Sequence, residues 1–314
     1  MMYGSGRYNT LSGYLKAVYG ESLYKISLDA GMTCPNRDGR AGLGGCIFCS
    51  AEGSGDFSKP LHSDSGDIDI QIEAAKKMVE KKFTGTRYIA YFQSFTNTYA
   101  PVDVLERIFM PVIMRDDIAV LDIATRPDCL EPDKLELIRR LAEIKPVWVE
   151  LGLQSADDNT AQLINRCYPT AVYDRAVEAL HRAGAEVITH MIIGLPGETK
   201  EDMLKTAAHI ARCGSDGIKL QLLHVLSGTR LAEIYSGGGF EVLTEEQYVD
   251  IVTDIIAILP ESMVIHRITG DGDRRKLIAP LWSLRKHHVL NSINHALRDK
   301  EIVQGQLAVS ACSR

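Results

Sequence analysis

The chain has no apolar run longer than a strand, whereas a membrane helix needs roughly 20 apolar residues, and its first residues, MMYGSGRYNT, contain no apolar signal core. Neither a membrane span nor secretion is expected, and the cytoplasm is the expected compartment. Long Ser, Gln or Pro tracts are missing too, as are solenoid-type repeats and any Pro/Ser linker. With 45% hydrophobic and 24% charged residues among 314, the chain can bury a sizeable core. Cysteine is scarce: seven residues, an odd number, are too few for a disulfide scaffold and suit thiols or metal ligands in a reducing compartment. The net charge of -6 argues against generic coating of nucleic acid. Yet residues 261–314 hold nine Lys/Arg (Arg267, Arg274, Arg275, Lys276, Arg285, Lys286, Arg298, Lys300 and Arg314) against five acids. That imbalance is either a solvated helix face or a local polyanion site.

Runs rich in Val, Ile and aromatics recur at 23–29, 87–94, 118–125, 146–154, 186–194, 216–225 and 263–269, most of them separated by a segment of helical period. Ile68, Ile72, Ala75 and Val79 mark one helix face, and Leu135, Ile138 and Leu141 mark another behind Pro132 at a helix start. Thr199 with Asp202, and Thr244 with Gln247, have capping-box spacing, and Gly214 would close the helix that Thr199 opens. Strands alternating with helices imply parallel strands and right-handed crossovers. The fold class is therefore α/β, as a full or partial (β/α) barrel or an open doubly wound sheet. A barrel-like domain is expected over residues 1–225, with a C-terminal extension over 226–314 packed on it.

The anomaly is the gap after the first strand. Residues 30–67 contain eight glycines and three of the seven cysteines, and so long a loop in a compact domain is usually functional. Cys34, Cys46 and Cys49 stand in a C-x11-C-x2-C arrangement just beyond the strand. Three thiolates on one loop suit a metal, either an iron-sulfur cube or one zinc ion, and the spacing alone does not separate the two. Barrel active sites lie at the C-terminal ends of the strands, and a structural zinc normally has four protein ligands. His62 is the candidate for a fourth zinc ligand; a three-cysteine cluster would instead leave one iron free for substrate. Cys129, Cys167, Cys213 and Cys312 have no paired spacing and read mostly as packing residues, with Cys167 or Cys129 the alternative candidates for a hydrogen donor or substrate carrier at the active site. His190 and His224, near strand ends, are candidates for substrate contact or simply hydrogen-bonded strand residues.

The loop resembles the cluster-binding loop of radical S-adenosylmethionine (SAM) enzymes, including the aromatic Phe48 before the last cysteine. The usual spacing in that family is C-x3-C-x2-C, and the widening here is similar to that of the Elongator-type radical SAM domain. YFQSFTNTYAP at 91–101 resembles the second-strand motif that binds the SAM amino group. IATRPDCL at 123–130, ELGLQS at 150–155 and HMIIGLPGET at 190–199 resemble the third-, fourth- and fifth-strand signatures. The tail at 266–293 is similar to the ending of YhcC/YtqA-like radical SAM proteins.

The resemblance implies a partial (β/α)6-type radical SAM barrel with a C-terminal α/β extension. It implies a [4Fe-4S] cluster held by Cys34, Cys46 and Cys49, with SAM chelating the fourth iron and yielding a 5'-deoxyadenosyl radical that takes hydrogen from substrate. Gln93, Ser94, Phe95 and Thr96 would meet the methionine amino group. Arg126 would pair with the methionine carboxylate and Glu150 with ribose hydroxyls, or each would form a structural ion pair inside the barrel. Gln154 and Ser155 would face SAM or substrate, and Gly194, Pro196 and Gly197 would shape a turn toward adenine. The basic tail, with Trp282, fits RNA, and the YtqA-like branch implies wobble-uridine side-chain chemistry on tRNA. A small metabolite or a peptide is the alternative substrate, and a zinc-binding RNA adaptor the non-enzymatic alternative. With no ferredoxin domain in view, an external low-potential electron donor such as flavodoxin or ferredoxin is expected.

Overall fold

The computed structural model describes residues 6–51, 53, 68–81, 83–270 and 272–308. Helix α1 (Leu11–Tyr19) precedes strand β1 (Tyr24–Leu28), and the cysteine loop leads to α2 (Ile68–Val79). Then come β2 (Tyr88–Phe92), α3 (Val102–Ile113), β3 (Ile118–Thr125), α4 (Pro132–Ala142) and β4 (Val147–Gln154). Short α5 (Asp158–Leu163) precedes α6 (Thr170–Arg182), β5 (Glu186–Ile193), α7 (Lys200–Cys213) and β6 (Gly217–Leu222). The remainder is β7 (Val225–Leu226), α8 (Arg230–Ser236), α9 (Glu245–Ile258), β8 (Val264–Arg267), β9 (Leu277–Ala279) and α10 (Lys286–Asp299). Among the described residues no helix is long and apolar enough to cross a membrane.

The helix boundaries follow from local chemistry. Thr199 and Asp202 form a complete capping box at α7, as do Thr244 and Gln247 at α9, each satisfying two otherwise orphaned backbone N–H groups. Gly214 closes α7 in the left-handed region, and Pro132 sits in the first turn of α4. The long helices bury stripes at i, i+3 and i+4, such as Leu105, Phe109, Val112 and Ile113 on α3.

Seven strands form one parallel sheet in the order β1-β2-β3-β4-β5-β6-β8, and β7 with β9 makes a small antiparallel pair. In a flat sheet β2 and β6, four strands apart, would be separated by ~19 Å, at about 4.8 Å per strand. Lys219 on β6 instead donates to Tyr91 Oη on β2 at 3.2 Å, which requires the sheet to curl. The result is a half-barrel clad in helices, the expected α/β barrel architecture. Its seventh parallel strand, β8, comes from the segment beyond residue 226 and pairs with β6. The expected strand at 216–225 divides after Leu222: Leu223 N–H donates to Ile193 O, and the chain then leaves to pair β7 with β9.

Alternation along the strands sends Ile26, Phe92, Ile123, Leu151, Met191 and Leu220 outward into one core with the helices. Phe92 meets Phe109 of α3 edge-on, with ring centroids 5.0 Å apart. Inside the curl, Ile89, Val120, Trp148 and Ile188 form an apolar floor that packs on Leu15 of α1. Above that floor the inward positions turn polar.

Candidate active site

The first polar layer is a buried ion-pair lattice. Glu150 of β4 receives Lys25 of β1 on Oε1 at 2.9 Å. On Oε2 it receives Lys219 at 2.5 Å, Tyr91 at 2.6 Å and His190 of β5 at 2.7 Å. Lys25 also reaches Asp122 of β3 at 2.5 Å. Burial alone would raise the Glu150 carboxyl, but Lys219, Lys25 and His190 overcome it and hold the group well below the ordinary carboxylate range. Lys219 is pushed down to about 7, chiefly by its burial, against the pull of Glu150. Both Glu150 oxygens thus engage buried partners in a structural ion pair, and the residue also lines the cavity above.

Above this lattice, at the C-terminal ends of the strands, one cavity is lined by Cys34, Cys46 and Cys49 together with Gln93, Phe95, Thr96, Arg126, Glu150, Gln154 and His190. The cysteine loop reaches it from the end of β1 and is pinned by the turn after α5. Asn165, in the left-handed region, donates from Nδ2 to Leu43 O and Gly45 O, while Asn36 Nδ2 donates to Asn165 O at 2.5 Å. The same Asn36 amide lies 3.6 Å from Cys46 Sγ, a donor aimed at sulfur. Cys49 N–H closes a turn onto Cys46 O at 3.0 Å. The hydrogen bond between the two thiols holds Cys49 below its ordinary range and raises Cys46. Arg37 binds Ser50 O and Ala51 O and stacks over Phe95 at 5.2 Å.

The opposite wall is cationic and aromatic. Arg126 forks onto Asp128 at 2.9 and 2.7 Å, and its guanidinium stacks 4.8 Å from the Tyr168 ring, whose other neighbour is Arg166 at 4.6 Å. Arg166, only 1% exposed, is spent on Leu153 O, Ser155 O and Tyr168 O. Gln154 ends β4 in the left-handed region, its amide folded across Gly152 and its buried Oε1 without a hydrogen-bond partner. Gln93 Oε1 accepts from Ser27 Oγ at 3.0 Å.

Ser94 is 1% exposed and does not line the cavity. Gly194 and Pro196 do not line it either; Gly194 adopts a φ of 92° against Leu243 at the turn into α7. That turn is tied back to the β4 end by Ser155 Oγ, which donates to Glu198 at 2.5 Å. A neighbouring pocket shares Phe48, Cys49, Gln93 and His190 and adds Lys219, His224 and Arg267. Cys129 is buried, with its thiol pushed up to about 12 by burial, as suits packing. His62 and Cys312 lie outside the described residues. The charged strand residues Lys25, Asp122 and Lys219, and the Arg126–Tyr168–Arg166 stack, were missed by sequence reasoning. A charge at an inward position of a strand such as VLDIAT was the available signal.

The zinc and cluster readings differ in geometry. Thiolates sharing one tetrahedral zinc, with Zn–S about 2.3 Å, lie about 3.8 Å apart. Cys46 and Cys49 are close enough to hydrogen-bond to each other, and among the described residues Asp174, His209 and Cys213 bring three ligating atoms within 4.8 Å of one another.

A family model described as the radical SAM superfamily matches residues 34–210, and one described as the radical SAM C-terminal domain matches 215–299. The chain is 43% identical over 300 residues to YtqA of Bacillus subtilis, covering 96% of this chain and 92% of that one. It is 30% identical over 154 residues to a tRNA uridine(34) acetyltransferase of Dehalococcoides mccartyi, covering 48% of this chain and 33% of that protein. The fold is similar to that of the archaeal Methanocaldococcus infernus Elp3 with an N-terminal deletion: TM-score 0.67, 17% identity, 90% of this chain and 64% of that one.

Proposed function

The chain belongs to the radical SAM superfamily of enzymes, and from that premise we propose that it cleaves SAM reductively at a [4Fe-4S] cluster on Cys34, Cys46 and Cys49 to modify the side chain of a tRNA uridine. The observation that carries the first half is convergence: three thiols from one loop, the β2 end, Arg126 and the β4 end line a single cavity at the C-terminal mouth of the barrel. The donor set fits the cluster. Three soft thiols on one loop, a side-chain amide directed at Cys46 Sγ and a loop rich in glycine suit a cube with a free corner.

When bound, the cluster and SAM supply one-electron reduction of a sulfonium and a 5'-deoxyadenosyl radical. The chain's own residues bind and orient. Gln93, Phe95 and Thr96 present acceptors at the β2 end for the SAM ammonium, with Ser94 buried behind them. Arg126, held in place by Asp128 and Tyr168, offers its remaining charge to the carboxylate. Gln154 brings an acceptor without a partner into the same cavity. Glu150 acts from beneath, fixing Tyr91 and His190 where they line the floor. An external low-potential donor supplies the electron.

The tRNA half is supported by the likeness to the uridine(34) acetyltransferase over part of the chain and by the exposed Arg274, Arg275, Arg285 and Lys286. These residues follow β8, whose C-terminal end lies on the cavity side of the sheet.

Anaerobic iron and sulfide analysis with EPR of the reduced protein, before and after SAM, tests the first half. About four irons per chain and a SAM-dependent signal, both lost in Cys46→Ala, are expected. Stoichiometric zinc with failed cluster reconstitution would refute it. Mass spectrometry of tRNA from cells with and without the gene tests the second: an unchanged wobble-uridine profile refutes tRNA as substrate.

A further inference from the structure

The outer helix layer carries a second group of ligating side chains that the barrel chemistry does not use. His209 and Cys213 stand four residues apart on one face of α7, and Asp174 projects from the neighbouring α6. Asp174 Oδ1 lies 2.7 Å from His209 Nε2 and 3.3 Å from Cys213 Sγ, and the sulfur lies 3.5 Å from the same Nε2. None of the three lines either cavity at the barrel mouth.

Asp174 Oδ1 is the shared acceptor of this triangle. A neutral imidazole Nε2 is either a donor or an acceptor. If it donates to Asp174, it cannot also accept from the Cys213 thiol. The thiol then donates to the same carboxylate oxygen, and sulfur and nitrogen rest in van der Waals contact at 3.5 Å, which leaves three ligating atoms facing one point. If Nε2 accepts from the thiol, its contact with the carboxylate sets two acceptors 2.7 Å apart, which is repulsive.

The three ligating atoms lie close enough to share one cation. Around a tetrahedral zinc, with Zn–S about 2.3 Å and Zn–N and Zn–O about 2.0–2.1 Å, the expected S–N and S–O separations are about 3.6 Å and the N–O separation about 3.4 Å. The S–N distance already matches, S–O is a few tenths of an ångström short, and only the N–O edge must open, by well under 1 Å. Asp174 keeps 42% of its side-chain surface exposed and His209 21%, so an ion can enter and a water can take the fourth position.

We propose that Asp174, His209 and Cys213 form a site for a zinc-class divalent cation that clamps α6 to α7, separate from the cluster loop. The donor set of one thiolate, one imidazole and one carboxylate selects zinc over magnesium or calcium, which prefer all-oxygen shells.

Cobalt(II) is the probe, because tetrahedral coordination gives intense visible bands and a thiolate ligand adds near-ultraviolet charge transfer. The titration uses full-length protein carrying Cys34→Ala, Cys46→Ala and Cys49→Ala, so that the cluster loop cannot contribute. One equivalent of cobalt with both features is expected, displaced by zinc. Adding Cys213→Ser should abolish the charge transfer, and adding His209→Gln or Asp174→Asn should weaken binding at least ten-fold. Circular dichroism confirms that each protein is folded, and the conservative Asp174→Asn serves if another variant is not. No uptake by the triple-alanine protein, or uptake that Cys213→Ser and Asp174→Asn leave unchanged, would overturn the site.

Discussion

Replacing Glu198 by Gln should change how stability depends on pH. Glu198 sits in the turn between β5 and α7 and accepts from Ser155 Oγ at 2.5 Å, joining that turn to the β4 end beside the cavity. Its carboxyl is pushed up to about 7 from an ordinary 4.5, chiefly by burial, with the charges of Asp202 and Asp157 adding to the rise and the Ser155 hydrogen bond opposing it. Since one pH unit corresponds to about 1.4 kcal/mol, ionising this group is ~3 kcal/mol harder in the folded protein than in the unfolded chain. The sign follows from proton counts. Below about 4.5 both states are protonated and the full contribution of the neutral carboxyl is present. Between about 4.5 and 7 the unfolded chain releases its proton first and stability falls; above 7 the contribution is gone. Glutamine can keep the Ser155 bond and needs no ionisation. Urea unfolding of cluster-free protein should therefore show wild type and Glu198→Gln close at pH 4.5, with the variant ahead by ~2–3 kcal/mol at pH 8, or ~4 °C in melting temperature for a chain of this length. A wild-type-minus-variant difference that stays flat between pH 4.5 and 8, or that favours the wild type at pH 8, would refute the reasoning.

Glu150→Gln removes the one carboxylate bound to Lys219 and should lose ~3–5 kcal/mol in urea unfolding, with much of the loss recovered when Lys219→Met is added. Gly42→Ala would drive a Cβ into Asn36 Oδ1 and to 2.6 Å from Cys167 Sγ, so cluster occupancy after anaerobic reconstitution should fall several-fold, as read by iron content. In Gly152→Ala the new methyl meets only the mobile end of Gln154, 2.5 Å away. SAM affinity by isothermal calorimetry should weaken while the melting temperature moves by no more than a few degrees.

The barrel was legible because its signals are local. A strand such as 118–125, buried at every position, reads as an apolar, Ile/Val-containing run broken only by Asp122, and the caps at Thr199, Thr244 and Gly214 need only their own neighbours. Helix α1 escaped notice. Its Thr10 cap and left-handed Gly20 are ordinary signals, but only one of its nine residues is buried, so its apolar stripe is weak. The division of the sixth strand was also hidden, because Leu222, Leu223 and Val225 continue the apolar run past His224 and the distant partner at Leu277–Ala279 draws the chain away. In each case the missing information lay in a tertiary partner.

The same distinction governs the site. Cys34, Cys46 and Cys49 can be placed at one cavity from the sequence, since three thiols on a single loop at one strand end have little freedom to be elsewhere. Glu150 is the opposite case. An inward carboxylate on the fourth strand is equally suited to a ligand hydroxyl or to a lysine, and what decides is which side chains arrive from strands scores of residues away. Lys25 and Lys219 stand on β1 and β6, at opposite sides of the curl, and each sits in a short strand where one lysine looks like a solvated edge residue. Only when the sheet closes do both point at Glu150, and then desolvation forces the pairing, because an unpaired ammonium on that floor would cost several kcal/mol. Tyr91 and His190 are held by the same carboxylate, so the lattice that looks structural also fixes two side chains that line the cavity. A loss of Glu150 should accordingly appear first as misplacement of Tyr91 and His190 and only then as a loss of stability. Raised KM for SAM in Glu150→Gln under conditions where the protein remains fully folded would show that order, and an unchanged KM would show that the lattice serves the fold alone.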